Sequence, residues 1–90
     1  MREILTSFQS DTSSRLLRLQ CALEGSDRAA IRRQAHAIKG SAVQVGANAV
    51  AAACGLLESA APLQPAADMA ALLLQVQACF DEVSRAMEAV

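Results

Sequence analysis

Apolar residues recur along the chain at spacings of three and four, in four separate runs. The first is Ile4, Phe8, Leu16, Leu19 and Leu23, with Thr12 in register between Phe8 and Leu16, and Gln9, Asp11, Ser14, Arg18 and Gln20 falling mostly elsewhere. This is the repeat of one buried helix face, and it predicts a helix over about residues 2–23 that stops at Gly25. Ser26 is then expected to cap a second helix over about 27–45, with Asp27 in its first turn and a stripe of Ile31, Ala35, Ile38, Ala42 and Val45 ending at Gly46. A third helix, about 48–60, carries Val50, Cys54, Leu57 and Ala61. Pro62-Leu63-Gln64-Pro65 reads as a linker. A fourth helix, about 66–89, carries Met69, Leu73, Val76, Phe80, Val83, Met87 and Val90, the most regular alternation in the chain.

Four amphipathic helices with short connections predict an all-α protein, an antiparallel up-down-up-down four-helix bundle. Ninety residues make one domain, 1–90. Alanine and leucine dominate, aromatic residues are only 2%, and no run alternates β-branched with polar residues, so no strand is expected. Ala35, Ala42 and Ala53 suit close helix approach.

A net charge of −1 argues against a general nucleic-acid binder. One basic cluster, Arg28, Arg32, Arg33 and Lys39, surrounds the only histidine. Cys21, Cys54 and Cys79 lie too far apart for a structural zinc site, and an odd count is no disulfide framework. Each falls in an apolar pattern, so all three are expected on buried helix faces, reduced, in a cytoplasmic protein. The start of the chain lacks a signal-peptide core, and the longest uncharged stretch, 40–57, is interrupted by Gln44, Gly46, Asn48 and Gly55; no membrane contact and no metal site are expected.

On a helical wheel the second stripe centres between Ala35 and Ile38, which turns His36 roughly 140° and Gly40 roughly 180° away from the core. His36 is therefore expected in solvent. Arg32 lies four residues before it and Lys39 three after, with no carboxylate at those spacings. Such a cationic setting favours a neutral imidazole and welcomes an anion. A neutral imidazole nitrogen is a nucleophile, and phosphoryl transfer depends on positioning and charge neutralisation. Gly40 costs a helix about 1 kcal/mol relative to alanine. On the exposed face it solves no packing problem, so it reads as clearance for a partner. Ser41 and Gln44 lie near the same rim as hydrogen-bonding groups, and Val43 adds a small apolar docking patch.

His36-Ala37-Ile38-Lys39-Gly40-Ser41, with Gly46-Ala47 following, resembles the histidine-containing phosphotransfer (HPt) domain. Phe8, Asp11, Arg15-Leu16 and Leu19 look like that family's first bundle helix, Gly25-Ser26-Asp27 like its turn, and Cys54 with Leu57-Glu58 like its third helix. The resemblance implies a relay: His36 accepts a phosphoryl group from a receiver-domain aspartate of a response regulator and passes it to another. Lys39 would be the charge partner, Gly40 the access position, and Gln44 a support for the histidine's surroundings. Arg32, Arg33, Ser41 and Val43 complete the docking face. No cofactor is implied for this domain, since the Mg2+ of such transfers belongs to the receiver. Only seven residues precede Phe8, so the short extra helix common in the family is expected to be missing; that fits a lean free-standing form or a domain of a hybrid sensor kinase. A monomer is expected, with the uncovered end as a route to dimers.

Three other readings compete. The phospho-accepting domain of a chemotaxis-type kinase shares the H-x-x-K-G core but works with dimerisation and ATP-binding segments that are not found here. A bundle that docks receivers without carrying phosphate would have no use for His36, Lys39 and Gly40 together. An independent enzyme finds no nucleotide-binding glycine loop and no carboxylate pair near the histidine.

Overall fold

The computed structural model describes the backbone of residues 2–89 and the side chains of residues 6–89. Four helices follow one another: α1 (Arg2–Glu24), α2 (Arg28–Gln44), α3 (Asn48–Ala60) and α4 (Ala66–Glu88). They agree with the periodicity to within a residue at each end. Each helix packs on its neighbours in sequence and α4 closes back on α1, while the backbones of the diagonal pairs stay farther apart among the described residues. The product is a rod of 38 × 17 × 17 Å, the shape of an antiparallel four-helix bundle.

The predicted stripes meet along its axis. Ile31, Ala35, Ile38 and Ala42 of α2 face Val50, Ala53, Cys54 and Leu57 of α3, all buried. Met69, Leu73, Val76 and Phe80 complete the core from α4, and Phe8, Leu16 and Leu19 from α1. Each large side chain buried in this way contributes about 1.5–3 kcal/mol. Phe8 and Phe80 meet edge-on at one end, with ring centroids 6.0 Å apart and an interplanar angle of 65°, a favoured aromatic geometry. Leu23, Val83 and Met87 are half-buried at the margins. The side chain of Ile4 and the whole of Val90, expected on the stripes, lie outside the described residues.

The turns carry two corrections. After α1, the amide of Asp27 donates to the Ala22 carbonyl (2.8 Å) and that of Ser26 to the Leu23 carbonyl (3.2 Å). This pair of bonds requires a left-handed residue between them, and it is Ser26, at φ 56°, rather than a glycine. Ser26 therefore ends α1 instead of capping α2. The cap is Asp27, whose carboxylate accepts from the Ala30 amide at 3.1 Å. The same bond pattern closes α2: the Ala47 amide donates to Ala42 and the Gly46 amide to Val43. Here Gly46 takes the left-handed position at φ 77°, as its place in the sequence leads one to expect.

Cys21 is the third correction. It is exposed, whereas Cys54 is buried and Cys79 half-buried. Its position in α1 follows the stripe residues Leu16 and Leu19, but the core contact at that level goes to Ala22. Arg15 ties α1 to α2 through the Gln34 side-chain carbonyl (3.0 Å) while also pairing with Asp11 one turn earlier.

Candidate functional site

α2 carries its core stripe on one side and a polar face on the other. His36 stands on that outer face with its side chain 69% exposed. Neighbours at three, four and seven residues share a helix face, so Ala29, Arg32, Arg33, Lys39, Gly40 and Val43 run along it with His36. A side chain added at Gly40 would meet nothing within 4 Å. Val43 is 62% exposed and Gln44 is exposed further along. Ser41, five residues beyond the histidine, turns about 140° from it and is half-buried, so the fold leaves it beside this face and not on it.

The basic cluster divides. Arg28 turns away from the histidine and donates to the carbonyls of Ala61 (2.8 Å) and Gln64 (2.7 Å), fastening the α3–α4 linker. Arg32 and Arg33 stay with the histidine: together with Ala29, His36 and Glu58 they line an open groove of about 420 Å³. Neither forms an ion pair among the described residues.

The setting of His36 is not purely cationic, as its own helix implies. A carboxylate arrives from α3. Glu58 places Oε2 at 2.9 Å from His36 Nδ1 and Oε1 at 2.7 Å from Lys39 Nζ. Its side chain is only 16% exposed, against 37% for Lys39. The Lys39 ammonium, and after it the His36 ring, hold the Glu58 carboxyl below its ordinary value against an opposing push from burial. An ionised carboxylate only accepts hydrogen bonds, so Nδ1 carries the proton of this contact and Nε2 is the nitrogen left free towards solvent. On its way to Glu58 the Lys39 stem passes over Gly55, where an added Cβ would lie 3.8 Å from Lys39 Cδ. Just beneath, burial pushes the Cys54 thiol up to about 12, with smaller contributions from Cys79 and Glu58.

The placing of Glu58 and Gly55 beside His36 and Lys39 was not anticipated from the sequence, although a signal for both exists. An antiparallel hairpin pairs residues equidistant from its turn. His36 and Glu58 each stand eleven residues from Ala47, and Lys39 and Gly55 each stand eight. Glu58 also follows Cys54 by one helical turn, which puts a charge at the edge of a buried stripe.

The fold and the site together define a helical bundle that offers its one histidine on an outer helix face rather than in a core or a cleft. The chain belongs to the Hpt domain family, whose model matches residues 3–86. Comparisons with curated proteins and with solved structures return no match. Membership gives the chain a phosphotransfer role in phosphorelays, as a phosphocarrier rather than a classical enzyme, and implies interaction with receiver domains. No helix among the described residues is long and apolar enough to cross a membrane.

Proposed function

We propose that His36 is the phosphoryl-accepting residue, taking the group on Nε2 from a receiver-domain aspartate and passing it to another. The observation that supports this most is the state of the imidazole: Nδ1 is occupied by Glu58 while the ring is 69% exposed. A nucleophile must reach phosphorus in line with the leaving oxygen, and an open helix face allows this where a buried histidine would not. Gly40 leaves room for the partner to approach. Lys39 offsets charge on the transferred group, and the unpaired Arg32 and Arg33 offer complementary charge to an acidic receiver surface. Val43 and Gln44 extend the docking face, with Ser41 at its edge. The Mg2+ of the reaction belongs to the receiver, and this chain contributes no cofactor. The setting is the cytoplasm, either free-standing or joined to a hybrid sensor kinase.

The test is transfer from a receiver labelled on its aspartate. Wild type takes up an acid-labile label and His36→Gln takes up none. A variant that still binds the receiver and still takes up label as fast as wild type would sink the relay role of His36. If neither protein takes up label while both bind the receiver, the bundle is a docking module instead.

A further inference from the structure

We propose that the α3–α4 face of the bundle is a two-fold interface between two copies of this chain. It stands apart from the acceptor reading of His36, since no residue of α2 lines the groove on this face.

Charge is nearly absent from this part of the protein. Of 8 basic and 9 acidic residues, only Glu58 and Asp68 fall between Gly40 and Phe80, whereas a solvated surface ordinarily carries charge on about a quarter to a third of its residues. Glu58 turns to α2, where His36 and Lys39 hold it. The groove between α3 and α4 therefore keeps Asp68 as its one charge. It has a volume of about 640 Å³ and runs between Leu56 and Ala60 of α3 and Asp68, Ala71, Leu72 and Gln75 of α4. Leu56 stands on its wall, 56% exposed. A single exposed leucine is ordinary. A leucine beside an open apolar groove with almost no charge around it has the composition of an interface centre.

The surface that complements this face is the face itself. Asp68 lies at its linker end, in the first turn of α4. Asn48 lies at the opposite end, where α3 starts with no side-chain cap and no carboxylate in its first turn. Leu56 falls between the two. A two-fold axis near Leu56 lays the copies head to tail. It sets Leu56 against Leu56 of the second copy and brings each Asp68 to the α3 start of the other copy. A carboxylate is favourable at an uncapped helix N-terminus, and this arrangement keeps the two Asp68 carboxylates at opposite ends. A strongly charged partner finds nothing to pair with here. A second copy is uncharged where this one is uncharged, and it supplies the anion that α3 lacks. The rod offers a face of 38 × 17 Å, on the order of 600 Å² per copy, the size at which specific interfaces begin. Closure on a two-fold is the commonest form of such assemblies. Because α2 stays outside the groove, both copies keep His36 open to solvent.

Sedimentation velocity of the full chain tests this. Between about 1 μM and 1 mM, wild type passes from the 9.4 kDa of one chain to twice that mass. Leu56→Glu opposes two carboxylates at the axis and weakens the dimer tenfold or more. Asp68→Asn weakens it severalfold. Leu17→Glu, at an exposed leucine of α1, leaves it unchanged. Circular dichroism verifies that each variant is helical. Amide spectra of wild type over the same dilution need no variant: Asn48, Leu56, Ala71 and Gln75 shift, and His36 and Gly40 do not. Should Leu56→Glu unfold, these spectra decide alone. A wild type that keeps the mass of one chain throughout overturns the proposal and leaves the face to a different protein. A dimer that survives Leu56→Glu, or dilution shifts confined to α1 and α2, overturns it as well.

Discussion

His36 and Glu58 stand the same distance in sequence from Ala47, and the α2–α3 hairpin brings their side chains to 2.9 Å. The carboxylate that meets the imidazole also meets Lys39, and that second contact, at 2.7 Å, does most to hold Glu58 ionised. Three titratable groups from two helices thus share one cluster at the surface of the bundle.

This cluster makes stability depend on pH with a definite sign. The folded protein holds Glu58 below its ordinary value of 4.5. A carboxyl depressed by folding stabilises the native state above the unfolded value and loses that contribution as pH falls through the folded value. Urea midpoints of wild type and Glu58→Gln should therefore differ at pH 7, by an amount within about 1 kcal/mol for a partly exposed pair, and should converge as pH drops below 4.5. A difference that grows on acidification would contradict the sign.

Gly40 should separate stability from transfer. With nothing within 4 Å of an added Cβ, Gly40→Ala gains helix propensity at no steric cost, about 1 kcal/mol. For a domain of this size that raises the melting midpoint by about 4–8 °C. The same methyl group stands on the face that a receiver must approach, so transfer to His36 should slow, and Gly40→Glu should slow it further. If both variants transfer at the wild-type rate, Gly40 has no role in access.

The left-handed position at Ser26 gives a prediction of the same kind in a turn. A non-glycine residue at φ 56° carries strain of about 1–2 kcal/mol. Ser26→Gly should relieve part of it and stabilise the protein by roughly 0.5–1 kcal/mol, less the greater freedom of glycine in the unfolded chain. Equilibrium unfolding in urea reads the change as a higher midpoint at unchanged slope. A lower midpoint would mean that the serine side chain contributes more to this turn than its backbone costs.

Most of the fold was legible because a helix buries a stripe, and the stripes of Ile31-Ala35-Ile38-Ala42 and Met69-Leu73-Val76-Phe80 have no competing period. The exposure of His36, Gly40 and Val43 followed from the same wheel. The reading was less secure where the chain turns. Gly25, Ser26 and Asp27 are each acceptable at a helix end, and a shift of one residue in their roles leaves the pattern unchanged. Cys21 was misplaced because it was taken with its apolar neighbours in sequence; two residues past Leu19 and five past Leu16, it lies about 200° and about 140° round the helix from them, off the stripe. The placing of Glu58 beside His36 was missed for a different reason. Its contacts with His36 and Lys39 form only across the α2–α3 seam, and residue spacing within α2 does not report them. Arg28 shows the converse: near the histidine in sequence, it is spent on the carbonyls of Ala61 and Gln64.

Thr12 tests the core itself. It sits in the α1 stripe between Phe8 and Leu16, fully buried, and its Oγ1 has no hydrogen-bond partner among the described residues. A buried hydroxyl without a partner costs about 1–3 kcal/mol in lost hydration. Valine has nearly the same shape, keeps the branched Cβ and brings no polar atom. Thr12→Val should therefore raise stability by about 1 kcal/mol, read as a higher urea midpoint at unchanged slope. Residue 12 lies in α1, outside the α2–α3 seam that holds His36, Lys39 and Glu58, so the transfer rate and the His36 tautomer should stay at wild-type values. Thr12→Ala distinguishes the two contributions: it removes the same hydroxyl but also a packed methyl group, and should fall below Thr12→Val by about 1 kcal/mol. If Thr12→Val unfolds more easily than wild type, the hydroxyl is bonded in solution, and the native core holds a polar contact at this level of the bundle.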